Sequence, residues 1–131
     1  MYTRTVMLLA TLTLAGCATQ PVKDLQAMLF NKGHPQLSTG IKEYEDGNYG
    51  EATRLLQASL ERGVSASDEV RAHKYLAFIH CSARREEQCR SAFTKVFEID
   101  PAFELEAAEA GHPMWGPVFR SLKAEQTAAS K

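Results

Sequence analysis

The sequence has few of the residues that mark a disulfide-rich, nucleic-acid-binding or membrane-spanning protein. Its 131 residues include three cysteines, one tryptophan and five prolines. Basic and acidic residues are nearly balanced, 15 against 16, which argues against a basic surface for nucleic acid. The apolar run at residues 6–15 is about ten residues long, whereas a helix that spans a bilayer needs about 20. The chain therefore contains no predicted spanning helix.

Catalytic and metal-binding motifs are also missing. No Gly-x-Ser-x-Gly nucleophile elbow and no glycine-rich phosphate loop is present. The histidines are scattered and form neither a His-x-x-x-His nor a His-Glu-x-x-His motif: His34, His73, His80 and His112. We therefore expect no enzyme activity, no catalytic residue, no bound metal, no cofactor and no small-molecule substrate.

The N-terminus has the pattern of an export signal. Arg4 precedes the apolar run at residues 6–15, and small residues follow it in Leu14-Ala15-Gly16-Cys17. A basic flank, a short apolar core and small residues at the cleavage site are typical of a secretory signal. The alternative is a buried helix of the folded domain, which would place Gly16 and Cys17 at this point by chance.

The same four residues resemble the lipobox of bacterial lipoproteins. That resemblance implies that residues 1–16 are a signal peptide that is removed and that Cys17 carries covalent lipid. Residues 17–22 would then form the lipidated N-terminus and a short tether to the membrane. Ala18, in place of aspartate, implies the outer membrane, with the folded domain facing the periplasm.

Once Cys17 is assigned to the lipid, Cys81 and Cys89 are left as a pair. The periplasm is oxidising and permits a disulfide. The two cysteines fall near the end of one predicted helix and the start of the next, where a tight turn can bring their Cα atoms within the required range of about 4.4 to 6.8 Å. Two buried thiols and a metal site remain as alternatives.

Apolar residues recur with helical periodicity, which predicts an all-α fold. Ser67 or Asp68 is the expected N-cap of the fourth helix, and Pro113 the expected start of the last one. Helices are predicted over residues 22–31, 37–46, 50–62, 68–83 and 86–99, with one or two turns within 102–110 and a final helix after Pro113. The folded domain is expected to cover residues 23–125, and residues 126–131 to form a frayed tail.

Residues 44–52 resemble the turn of a tetratricopeptide repeat in the spacing of Tyr44, Gly47, Tyr49 and Ala52. A second repeat can be placed further along the chain on Leu76, Ala77, Cys89, Phe93 and Pro101. His73 and Arg84 depart from the family pattern, and the linker at residues 61–68 is longer than usual. The resemblance implies a short array of about two helix pairs with flanking capping helices; an unrelated set of helical hairpins is the alternative.

Residues 100–105 and 109–120, together with the lipobox and the paired cysteines, are similar to the TssQ family of type VI secretion-associated lipoproteins. This resemblance implies a scaffolding role beside a secretion machine and a protein partner from its envelope components. Repeat geometry and the C-terminal cap point to the following candidate contacts: Lys42, Tyr44, Glu45, His73, Lys74, Phe78 and Trp115. An outer-membrane or cell-wall maintenance protein, with Trp115 and Glu109 as an exposed glycan-binding platform, is the alternative.

Overall fold

The computed structural model describes residues 31–131, and this part of the chain is helical with no strand. The all-α prediction is therefore confirmed. Cys17, the predicted signal peptide and tether, and all but the last residue of the predicted helix at residues 22–31 lie outside the described residues. The helices are α1 (His34–Glu45), α2 (Tyr49–Arg62), α3 (Ala66–Ser82), α4 (Glu86–Ile99), α5 (Ala107–Ala110) and α6 (Gly116–Ala129).

Most helix bounds lie close to the predicted ones, but four ends differ: the starts of α1 and α3 and both ends of α6. Helix α1 begins before Leu37 because Pro35 sits in its first turn, where a missing N–H costs nothing. Helix α3 is capped by Ser65, whose Oγ accepts a hydrogen bond from the Asp68 N–H at 3.3 Å, and not by Ser67 or Asp68. The helix begins at Ala66, before the predicted start, and Ser65 therefore occupies the N-cap position.

Helix α6 differs from prediction at both ends. It begins at Gly116 and not at Pro113, with Pro117 occupying its first turn. It continues to Ala129, past the predicted domain end at residue 125. Lys123 and Glu125 bind residues outside the helix, the Phe103 carbonyl and Arg90 respectively, and these contacts hold the last turns against the rest of the domain.

Helices α1–α2 and α3–α4 form two hairpins with matching turns. In the first turn the N–H groups of residues 46, 47 and 48 donate to the carbonyls of residues 42, 44 and 43. In the second turn residues 83, 84 and 85 donate to residues 79, 81 and 80 in the same pattern. Gly47 and Arg84 occupy equivalent positions, and both have positive φ, 83° and 57°. In the second hairpin an arginine therefore adopts the left-handed conformation that glycine adopts in the first.

Replacing Arg84 with glycine is expected to raise the free energy of unfolding by about 1 kcal/mol, because the left-handed conformation disfavours residues with a Cβ. Urea denaturation followed by circular dichroism measures the change. Gly47→Ala at the equivalent position is the matched control and should lower stability by a similar amount. A destabilised Arg84→Gly variant would contradict the prediction.

The core lies between the hairpins and helix α6. Helix α3 packs against α1, α2 and α4, and α6 covers the other side of α4. Small residues allow the helices of the first hairpin to approach closely, since a Cβ on Gly40 would lie 3.1 Å from Leu56 Cγ. The largest side chains that are almost fully buried are Phe78, Phe93, Phe97, Leu37 and Leu56. None of the helices within residues 31–131 is both long and apolar enough to cross a bilayer.

A buried carboxylate ties the start of α1 to α3. Asp68 accepts hydrogen bonds from the side chains of Asn31 at 3.2 Å and Arg71 at 3.1 Å, and its Oδ2 lies 2.8 Å from His34 Nδ1. Burial alone would raise the pKa of Asp68, but the hydrogen bonds from these three side chains hold it below its usual value. The first described residues of the chain are thereby attached to the helical domain.

Candidate functional site

The α3–α4 turn brings Cys81 and Cys89 together. Their Cα atoms are 5.1 Å apart and their sulfur atoms lie within disulfide-bonding distance. Both side chains are buried, Cys89 completely. The prediction that the turn places these two cysteines face to face is confirmed, and the pair connects the last turn of α3 to the first turn of α4.

Three partly exposed tyrosines form a continuous strip, which we call the tyrosine surface: Tyr44, Tyr49 and Tyr75. The ring centroids of Tyr44 and Tyr75 are 5.0 Å apart, and those of Tyr44 and Tyr49 are 5.6 Å apart. Tyr49 is 49% exposed, the most of any large hydrophobic residue in the described part of the chain. The strip crosses from α3 over the end of α1 to the start of α2, so it exists only after the first hairpin packs on α3.

The tyrosine surface rests on a second aromatic layer. Phe78 contacts both Tyr44 and Tyr75, at 6.3 and 5.8 Å between ring centroids. The Phe78 ring also stacks on Trp115, with 4.2 Å between the ring centroids. Trp115 is only 7% exposed, and its indole Nε1 donates to the Glu109 carbonyl at 2.9 Å. This layer supports the tyrosines from beneath and joins them to the C-terminal segment.

An ion pair crosses the edge of the tyrosine surface from α3 to α5. Lys74 Nζ lies 2.6 Å from Glu109 Oε1, and the side chains are only 12% and 18% exposed. The same ammonium group lies 4.9 Å from the centroid of the Tyr75 ring and 5.6 Å from that of Phe78. Lys74 therefore has a carboxylate on one side and aromatic rings on the other, the environment in which a cation is well stabilised.

The environment of the tyrosines opposes their ionisation. Burial raises the pKa of Tyr44 to about 12, with further contributions from Tyr49, Tyr75 and Glu109. Burial also raises the pKa of Tyr75, and nearby carboxylates raise it further. Both phenols therefore stay neutral at physiological pH and can donate hydrogen bonds.

The structure places six of the seven predicted contact residues in three different settings. Tyr44 and Lys74 belong to the tyrosine surface or its edge, with exposed Glu45 beside them. Exposed Lys42 pairs with Asp46 along α1. Phe78 is 2% exposed, and like Trp115 it packs in the core, so neither offers a face to a partner. The buried Trp115 also gives no support to an exposed glycan-binding platform beside Glu109.

His73 lies away from the tyrosine surface. It lines a groove between α3 and α4 together with His80 and Lys95, and burial lowers the pKa of its imidazole. The residue of α3 that does reach the surface is Tyr75, which the sequence did not single out. The repeat phase along α3 is ambiguous in the sequence, and the available signal was that Tyr75 directly precedes the apolar run at residues 76–79. Within residues 31–131 no group of three His, Cys, Asp or Glu side chains is arranged to hold a metal ion.

No protein-family model matches the chain, and neither a curated protein nor a solved structure shows a significant match to it.

Proposed function

We propose that this protein is a membrane-anchored periplasmic adaptor lipoprotein with a tetratricopeptide-like domain, accessory to the type VI secretion system, and that it binds a partner protein. The observation that carries the proposal is the tyrosine surface, a strip of partly exposed aromatic rings on one side of packed helix pairs. Aromatic side chains with exposed edges and polar tips are enriched in protein interfaces.

The matching hairpins support the tetratricopeptide-like arrangement. Their turns share the same hydrogen-bond pattern and the same position of positive φ. Gly40 and Ala77 are equivalent buried positions in the first helix of each pair, and Ala52 and Cys89 are equivalent in the second. Small side chains at these points allow close helix packing in both pairs.

The lipobox supports the membrane anchor. Fourteen peptide units separate Cys17 from Asn31, the first described residue, and a fully extended chain of this length reaches at most about 50 Å. A lipid on Cys17 would therefore keep the helical domain near the membrane surface. The partner would have to be reached there, which suits a component of an envelope-spanning machine.

Replacing Cys17 with serine is expected to abolish lipid attachment and signal cleavage, because the proposed acyl acceptor is the cysteine thiol. Incorporation of labelled palmitate and the mobility of the protein on gels measure both effects. Cys81→Ser is the matched control and should keep the label. Normal palmitate labelling of the Cys17→Ser protein would contradict the lipoprotein assignment.

A photo-crosslinking amino acid at position 49 is expected to capture a secretion-system envelope component in living cells. Tyr49 is exposed, so an aromatic crosslinker there leaves the core unchanged. The matched control carries the same crosslinker at exposed Gln88, on the groove side of α4 that includes His73. Mass spectrometry identifies the adducts. Identical adduct patterns at positions 49 and 88 would count against the tyrosine surface as the binding site.

A further inference from the structure

Carboxylates outnumber free cations around the tyrosine surface. The negative charges of Glu45, Glu106 and Glu109 all act on the Tyr75 phenol. Among residues 31–131, Glu109 is paired with Lys74, whereas Glu45 and Glu106 take part in no ion pair. The Glu106 carboxylate accepts a hydrogen bond from the Glu109 N–H at the start of α5 and keeps its negative charge unpaired.

Three cations near this surface are already engaged, whereas Arg85, which lines a groove with Tyr49, takes part in no ion pair among residues 31–131. Lys74 is held by Glu109 at 2.6 Å, and Arg71 donates to buried Asp68 at 3.1 Å. Lys42, further along α1, pairs with Asp46. A partner that approaches Tyr44 and Tyr75 therefore meets the negative charge of Glu45 and Glu106, whereas the Tyr49 end of the surface carries the positive charge of Arg85.

Lys74 shows how a cation is accommodated beside these rings. Its ammonium group contacts a carboxylate and lies over the Tyr75 and Phe78 rings, at 4.9 and 5.6 Å from their centroids. Tyr44, with the neighbouring carboxylate of Glu45, presents the same two chemical elements, and no cation of the described residues lies over its ring. An ammonium or guanidinium group from outside could therefore find aromatic rings and a carboxylate together.

We propose that the tyrosine surface binds a positively charged segment of the partner protein, with a lysine or arginine side chain packed against Tyr44 and paired with Glu45 or Glu106. The inference rests on the proposed adaptor function and specifies the chemistry of the partner. An acidic segment, a nucleic acid or an anionic lipid surface would be repelled by the same carboxylates.

The test compares two synthetic helical peptides of equal length that differ only in having arginine or glutamate at the charged positions. Fluorescence anisotropy measures their binding to the full-length chain in a non-ionic detergent. The arginine peptide should bind at least about tenfold more tightly, and its affinity should fall with added salt. A Glu45→Gln, Glu106→Gln double variant should weaken that binding about fivefold.

The matched control is the double variant Glu61→Gln, Glu87→Gln, which removes the same charge from exposed positions outside the tyrosine surface. It should bind the arginine peptide as the parent does. Equal affinity for the two peptides, an equal loss in both double variants, or no binding of the arginine peptide would each overturn the inference. The photo-crosslinking experiment at position 49 tests partner binding without any assumption about the charge of the partner. If it persists while the charge test fails, the adaptor function stands and only the partner chemistry is wrong.

Discussion

Replacing Phe78 with alanine is expected to lower the free energy of unfolding by about 3 to 5 kcal/mol, the usual cost of removing a buried phenylalanine. The side chain is 2% exposed and lies at the centre of the molecule. It stacks on Trp115 and packs edge-on against Phe93 and Tyr75. Its loss would leave a cavity bordered by α1, α4 and the C-terminal segment, and rigid neighbouring rings cannot collapse to fill it.

Urea denaturation measures the Phe78→Ala effect, and Tyr49→Ala is the matched control. Tyr49 belongs to the tyrosine surface and is half exposed, so its truncation should cost less than about 1 kcal/mol. Phe78→Leu fills most of the space and should keep the protein folded if the alanine variant unfolds. Similar losses for Phe78→Ala and Tyr49→Ala would show that Phe78 is not a central core residue.

Breaking the link between Cys81 and Cys89 is expected to lower the free energy of unfolding by about 2 to 3 kcal/mol. The two cysteines are eight residues apart, and in the chain-entropy model a short closed loop of this size stabilises by about that amount. The effect should be seen when the parent protein is denatured with and without a thiol reductant. Thiol labelling of the denatured, unreduced protein should find neither cysteine free.

The Cys81→Ala, Cys89→Ala double variant is the matched control for the reductant. It lacks the link, so its denaturation midpoint should be the same with and without reductant. Any direct effect of the reductant on the rest of the domain would appear in both proteins. Two reactive thiols in the unreduced parent, or an unchanged midpoint after reduction, would contradict the predicted disulfide.

The burial of Phe78 indicates that it stabilises the fold and does not contact a partner directly. It was predicted to contact a partner, yet its ring lies beneath the tyrosines and supports them. A loss of partner binding in Phe78→Ala would therefore accompany a loss of stability. Substitutions of Glu45 and Glu106 alter the exposed surface without opening the core, so they separate recognition from folding.

Helix α4 shows how much the local sequence determines. Its predicted bounds, residues 86–99, are the observed ones. Asp100-Pro101 ends the helix because the residue before a proline is disfavoured in the α region. Gly47 and Gly63 likewise mark chain reversals through their positive φ. The approach of Cys81 and Cys89 also follows from a turn between neighbouring helices, and so it could be predicted.

The exposed side of α3 could not be predicted from the local sequence. Tyr75 and His73 are two positions apart and therefore lie on different sides of the helix, but periodicity does not tell which of the two sides belongs to the exposed surface. Which side is covered depends on how α1 and α4 pack against α3. The sequence allows Trp115 either a place in the C-terminal cap or an exposed platform, and its stacking on Phe78 and its 7% exposure show that it is buried.

The sequence by itself determined the helical class, the order and most ends of the helices, and the approach of two cysteines across a turn. These features depend on residues close together in the chain, through backbone preferences and helical periodicity. Only the tertiary structure decided which aromatic rings are buried, where the last helix begins and ends, and which tyrosines form a common surface. Those outcomes depend on side chains from α1, α2 and α3 that are distant in sequence and meet only when the helices pack.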